Sequence, residues 1–85
     1  MNPVVNSAKV FIKALNDGAE FSEETVLECF RKEAKYSSSN DIESMKKWAA
    51  YYWMKYQSIG KEELLNASND DELLVGTLYK KFGKL

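Results

Sequence analysis

The sequence predicts an all-α protein, a compact bundle of four to five short helices around one long, aromatic-rich helix. Apolar residues recur with helical spacing in several segments, and capping residues or single glycines separate those segments. No alternating apolar and polar run is long enough to be a strand. Because the chain has only 85 residues, we expect residues 1–85 to form a single helical domain.

The first predicted helix covers residues 4–16. Pro3 stands at its head, where a missing N–H and a fixed φ are tolerated. Gly18 is expected to end it in a left-handed conformation. The apolar residues lie within an arc of about 120° on a helical wheel, and they are Val4, Val5, Ala8, Phe11, Ile12 and Leu15.

A second helix is predicted over residues 22–35. Ser22 suits the N-cap, Phe21 can pack onto Val26, and Glu23 and Glu24 favour the positive end of the helix dipole. Residues 37–40 are three serines and an asparagine, and they predict a short loop. The expected inward face consists of Val26, Leu27, Phe30 and Ala34.

The longest predicted helix begins with a cap at residues 40–43 and runs to Gly60 without a breaker, a length of about 19 residues. A helix at the centre of a small bundle should bury a wide apolar arc. The residues in that arc are Ile42, Met45, Trp48, Ala49, Tyr52, Trp53, Tyr56 and Ile59.

Two further helices are predicted at the C-terminal end. A short one covers Lys61 to Ala67, and residues 68–72 cap a last one that ends near Gly83. Gly76 lies inside this last helix, where it is expected to allow close approach of a neighbouring helix. The expected buried face consists of Leu74, Val75, Leu78, Tyr79 and Phe82.

The residues that catalysis usually requires are scarce. The chain contains no histidine, its single cysteine is Cys29, and its four glycines stand apart, so no phosphate-binding loop is present. Paired acidic residues occur at 23–24, 62–63 and 70–72, each in the first turn of a predicted helix, where they stabilise the dipole. We therefore predict a protein that is not an enzyme, with no cofactor, metal or catalytic site.

Charge and hydropathy limit the compartment and the partners. The formal net charge is −1, so the protein lacks the strong positive field of non-specific nucleic-acid binders. No apolar stretch is long enough to span a bilayer, so no membrane partner is expected. A single cysteine fits a reducing compartment, which predicts a cytoplasmic location.

The aromatic helix carries the strongest functional signal. Tyr51 and Met54 fall outside its buried arc, on the side that also holds Lys47, Glu43, Ser44 and Lys55, and Trp48 lies at the edge. We call Trp48, Tyr51, Met54, Lys47 and Lys55 the aromatic patch. Exposed aromatic and methionine side chains are enriched at protein interfaces. The patch is therefore the predicted protein-binding site, unless the first or last helix covers it.

The sequence favours a small protein–protein interaction module that acts on a larger protein, as an inhibitor, adaptor or accessory subunit would. The alternative is a nucleic-acid-binding regulator with a helix-turn-helix-like unit over residues 22–59. The expected recognition helix, however, begins with Asp41 and Glu43, which would repel phosphate. A homodimer formed through the aromatic face is a third possibility.

Overall fold

The computed structural model describes residues 2–32 and 42–84, and over these residues it contains five α-helices and no strand. The all-α fold class is confirmed. The predicted loop at 37–40, residues 40 and 41 of the predicted cap and the predicted end of the second helix lie outside the described residues. In chain order the helices are α1 (Pro3–Asn16), α2 (Glu23–Arg31), α3 (Ile42–Ile59), α4 (Lys61–Ala67) and α5 (Asp71–Phe82).

Side-chain caps fix where three of these helices begin. The Oδ1 atom of Asn2 accepts a hydrogen bond of 2.8 Å from the Val4 N–H, directly before Pro3. The predicted N-cap Ser22 accepts from the Thr25 N–H at 3.3 Å, and Asp70 accepts from the Glu72 N–H at 2.9 Å. The N-terminal ends of α1, α2 and α5 are thus set by local sequence.

Two glycines occupy backbone conformations that other residues rarely adopt. Gly18 follows α1 with φ of 103°, as its position after Asn16 and Asp17 predicts. Gly60 has φ of 96° and separates α3 from α4, so the long helix ends where the sequence places its stop. Each glycine thus allows the turn that separates two consecutive helices.

The central position of α3 follows from its neighbours. It packs against α2, α4 and α5, while α1 packs against α2 and α5. The Phe11 ring of α1 also stacks on the Tyr56 ring of α3, with centroids 4.8 Å apart. The α3 side chains buried in the core are Met45, Ala49, Tyr52, Tyr56 and Ile59, all of which the helical wheel places inside.

Tyr56 is the largest fully buried side chain of the core, and its polar atom is unsatisfied. Its ring is 1% exposed, and its hydroxyl has no hydrogen-bond partner among the described residues. Burial raises the pKa of the Tyr56 phenol far above its ordinary value, and the nearby Tyr52 and Cys29 raise it further. The phenol therefore stays neutral in the folded protein.

Several burial predictions were wrong. On α3, Ile42 and Trp48 were expected inside but are exposed. On α5, Val75 and Tyr79 were expected inside but are exposed, and Thr77 is buried in their place. The buried face of α5 is thus rotated towards Thr77, which lines a groove together with Ile59 of α3 and Ala67 of α4.

The interpretation of Gly76 was also wrong for this chain. A Cβ atom added at Gly76 would meet nothing within 4 Å, so no neighbouring helix of the chain approaches the backbone closely there. Gly76 is instead an exposed glycine in the interior of a helix.

Candidate functional site

The aromatic patch lies on the outer side of α3. Three of its side chains are large and apolar, and all three are exposed: Trp48 by 48%, Tyr51 by 37% and Met54 by 54%. Lys47 is exposed beside them, and Lys55 is half-buried. The fold therefore places all five predicted residues on one helix, with the apolar side chains accessible to a partner.

The opposite side of α3 holds this helix in place. The Tyr52 ring contacts the Phe30 ring of α2 at 5.2 Å and the Phe82 ring of α5 at 5.0 Å between centroids. Tyr56 and Ile59 continue the buried face one and two turns further on. Helices on two sides thus fix the backbone that presents the patch, which lowers the entropy lost when a partner binds.

Trp48 and Tyr51 form the ordered half of the patch. Their rings meet edge to face, with centroids 5.8 Å apart and an interplanar angle of 88°. The Lys55 ammonium lies 5.3 Å from the centroid of the Tyr51 ring, within the range of a cation–π interaction. These contacts orient the two aromatic rings in the absence of a partner.

The last helix covers only part of the patch. The Phe82 ring of α5 approaches the Tyr51 ring to 5.9 Å, so the expectation that a terminal helix folds over this region holds for one edge of Tyr51. Met54 remains the most exposed of the three apolar side chains. The uncovered surface therefore runs along α3 from Trp48 to Met54.

The patch is positively charged at its margin. Lys47 and Lys55 form no ion pair with any other described residue, since the ion pairs there join Lys9 to Asp71 and Glu28 to Arg31. A lysine without an intramolecular ion pair can pair with an acidic side chain of another protein. The arrangement thus combines apolar contact area with available positive charge.

The acidic pairs and Cys29, which were weighed for catalytic roles, lie on helices other than α3. The acidic pairs occupy the first turns of α2, α4 and α5, as predicted. In residues 2–32 and 42–84, no group of three or more acidic or cysteine side chains is placed to hold a metal ion. Cys29 is 8% exposed and belongs to the hydrophobic core.

A surface groove of about 620 Å³ lies where α3, α4 and α5 meet. It contains Gly60, Asn66 and Leu73, together with the carboxylates of Glu62 and Glu63. None of the five patch residues lines it. No motif in the sequence pointed to this groove, because it arises from the packing of three helices and not from local spacing.

Sequence reasoning also missed exposed apolar residues on α5. Val75 is 41% exposed and Tyr79 is 55% exposed, and they flank Gly76 in a shallow groove. The signal that could have indicated this surface is the glycine itself, since a helix interior disfavours glycine unless some contact requires it.

The chain shows no significant match to any protein-family model, any curated protein sequence or any solved structure. Among the helices of the described residues, none combines the length and the apolar character that crossing a membrane requires.

Proposed function

We propose that this protein is a small, non-catalytic protein–protein interaction module that acts on a larger protein as an inhibitor, adaptor or accessory subunit. The observation that carries the proposal is the exposure of Trp48, Tyr51 and Met54 on a helix whose opposite face lies in the core. Exposed apolar side chains that lie next to one another are typical of protein–protein interaction sites.

The chemistry of the aromatic patch indicates what the partner surface resembles. Trp48 and Tyr51 are rigid and amphipathic, so they contribute contact area at low entropic cost, and Met54 adapts to an irregular surface. Lys47 and Lys55 favour a partner with acidic side chains around an apolar pocket. We expect Trp48 and Tyr51 to be the energetic centre and the lysines to affect the rate of association.

A cytoplasmic location belongs to the same proposal. Cys29 is the single cysteine of the chain and is buried, and a reducing compartment preserves such a thiol.

The experiment that tests the proposal compares two variants of α3 that carry the same added charge. Met54→Glu places a carboxylate in the aromatic patch, whereas Gln57→Glu places it on another exposed part of the helix. Tagged wild type and both variants are used to capture partners from a lysate of the native host, with and without nuclease and at high salt. Captured proteins are identified by mass spectrometry.

We expect the wild type and Gln57→Glu to retain the same protein partner in nuclease and high salt, and Met54→Glu to lose it. Because Met54 is exposed, Met54→Glu should unfold at nearly the wild-type temperature. Equal capture by all three proteins would contradict the aromatic patch as the binding site. Capture that disappears with nuclease and weakens steeply with salt would instead favour the helix-turn-helix alternative over residues 22–59.

A further inference from the structure

Helix α5 carries an apolar surface that the fold does not use. Val75 and Tyr79 are exposed, and together with Asp71, Glu72 and Gly76 they line a shallow groove along the outer side of the helix. Leu74 and Leu78 bury the other side of α5 in the core. The groove is distinct from the aromatic patch, because none of the five patch residues lines it.

Gly76 forms the floor of this groove. A glycine inside a helix lowers its stability relative to alanine, so the position is costly unless a close contact requires it. Nothing in the chain lies within 4 Å of the place where a Cβ atom would be. The missing side chain therefore leaves room for a backbone or side chain from another molecule.

The distribution of charge along α5 indicates which kind of molecule fits the groove. Glu72 lies one turn before Gly76 and Lys80 one turn after it, so the three positions follow one another along the same face. Both charged side chains are exposed, and neither forms an ion pair within the part of the chain that the structure describes. The surface is thus acidic at one end, basic at the other and open in the middle.

A surface of this kind is complementary to itself when it is turned end to end. If two α5 helices cross antiparallel at Gly76, Glu72 of each copy lies beside Lys80 of the other, and Val75 and Tyr79 of both copies cover the open centre. The negative C-terminal end of each helix dipole also lies near the positive N-terminal end of its partner. We propose that a second copy of this chain occupies the groove, forming a two-fold symmetric dimer through α5.

The expected interface is small. Helix α5 has 12 residues and a length of about 18 Å, so a pair of such helices buries less surface than a standard protein–protein interface. We therefore expect a weak dimer that exchanges with the monomer. Because no residue of the aromatic patch lines the groove, this dimer does not depend on the function proposed for the patch.

Charge reversal tests this dimer with matched variants. In Glu72→Lys both ends of the face are positive, and in Lys80→Glu both ends are negative, so each variant should repel its own copy. An equimolar mixture of the two variants should associate, because every lysine then faces a glutamate across the two-fold axis. The double variant Glu72→Lys/Lys80→Glu should also associate, since it restores both pairs.

Sedimentation equilibrium up to about 1 mM protein detects even a weak association. We expect a concentration-dependent mass for the wild type, the mixture and the double variant, and a dissociation constant raised at least about tenfold for each single variant. Gly76→Gln should weaken the dimer similarly by filling the crossing point. Circular dichroism of each variant at low concentration confirms that the monomer is folded, and recovery on mixing excludes unfolding as the cause.

Two results would overturn the inference. One is a wild type that remains monomeric over the whole concentration range. The other is a dimer that none of the charge reversals affects, since such a dimer would form through another surface, such as the aromatic patch.

Discussion

Helices α1 and α5 are similar in length, but they use their apolar residues differently. In α1, most of the large apolar residues lie on one face and are buried in the core. The buried residues of α1 are Val5, Ala8, Phe11, Ile12 and Leu15. In α5, Leu74 and Leu78 are buried, but Leu73, Val75 and Tyr79 remain exposed. An apolar arc on a helix therefore does not by itself determine what the helix buries.

The difference follows from the neighbours of each helix. The buried face of α1 is closed by α2, by α5 and by the Tyr56 ring of α3. Helix α5 contacts α3, α4 and α1 and buries Leu74, Thr77 and Leu78. Of the residues that line the groove at Gly76, Asp71 pairs with Lys9 of α1, whereas Val75 and Tyr79 remain exposed. A surplus of apolar residues on the open side is what an interaction surface requires.

The largest expected effect comes from breaking the contact of α1 with the core. Phe11 is 1% exposed and stacks on Tyr56, so Phe11→Ala removes a ring from a site that cannot collapse fully. We expect a loss of about 3–5 kcal/mol in the free energy of unfolding, measured by urea denaturation. The exposed Lys13→Ala on the same helix is the control and should change it by less than about 0.5 kcal/mol. Equal losses in the two variants would show that the burial of Phe11 is not what stabilises α1.

The next effect contrasts two adjacent residues of α5. Leu78 is fully buried, and Leu78→Ala should cost about 2–5 kcal/mol of unfolding free energy. Tyr79 is 55% exposed, and Tyr79→Ala should cost no more than about 0.5 kcal/mol when measured at low protein concentration. A large loss for Tyr79→Ala under those conditions would mean that its ring packs within the chain.

Sequence reasoning performed well where local signals decide the structure. The stop at Gly18, the N-cap at Ser22, the bounds of α4 and the end of α5 before Gly83 are all set by residues close in sequence, and all are confirmed. It failed where distant residues decide. Trp48 and Val75 lie within apolar arcs, but which part of an arc is covered depends on where other helices pack.

The same distinction applies to the candidate site. The helical wheel places Tyr51 and Met54 outside the buried face of α3, because the position of a residue around a helix depends only on its spacing in the sequence. Both side chains are exposed. The groove at Gly76 could not be inferred in this way, because the sequence suggested a neighbouring helix of the same chain and the structure places none there. The binding roles of both surfaces stay predictions.

A third prediction concerns Tyr56, which joins the two compared helices by contacting Phe11 of α1 and Phe82 of α5. Its hydroxyl is buried without a partner in the described structure, so Tyr56→Phe should raise the free energy of unfolding by about 1 kcal/mol at neutral pH. Thermal and urea denaturation measure this change. A less stable variant would show that the hydroxyl is satisfied in solution.

The pH dependence of stability provides a second measurement on Tyr56. Its pKa is raised in the folded state, so the folded protein holds the phenolic proton more tightly than the unfolded chain. The corresponding stability is present below the unfolded pKa of about 10 and is lost as the pH rises above it, by about 1.4 kcal/mol per pH unit. Tyr56→Phe should remove this part of the alkaline destabilisation. Identical alkaline slopes for the two proteins would contradict the burial of a neutral phenol.

The smallest expected effect is a gain in monomer stability, and it separates the folding of α5 from its proposed pairing. Because a Cβ atom at Gly76 meets nothing within 4 Å, Gly76→Ala should stabilise the monomer by about 0.5–1 kcal/mol through helix propensity. Gly60→Ala is the matched control, and it should be destabilising because φ at Gly60 is 96°. Thermal denaturation at low protein concentration measures both variants. A helix that becomes more stable when its glycine is replaced does not need that glycine for folding, as the proposed pairing through α5 requires. If Gly76→Ala instead destabilises the monomer, the groove is a requirement of the fold, and the argument for pairing through α5 loses its main support.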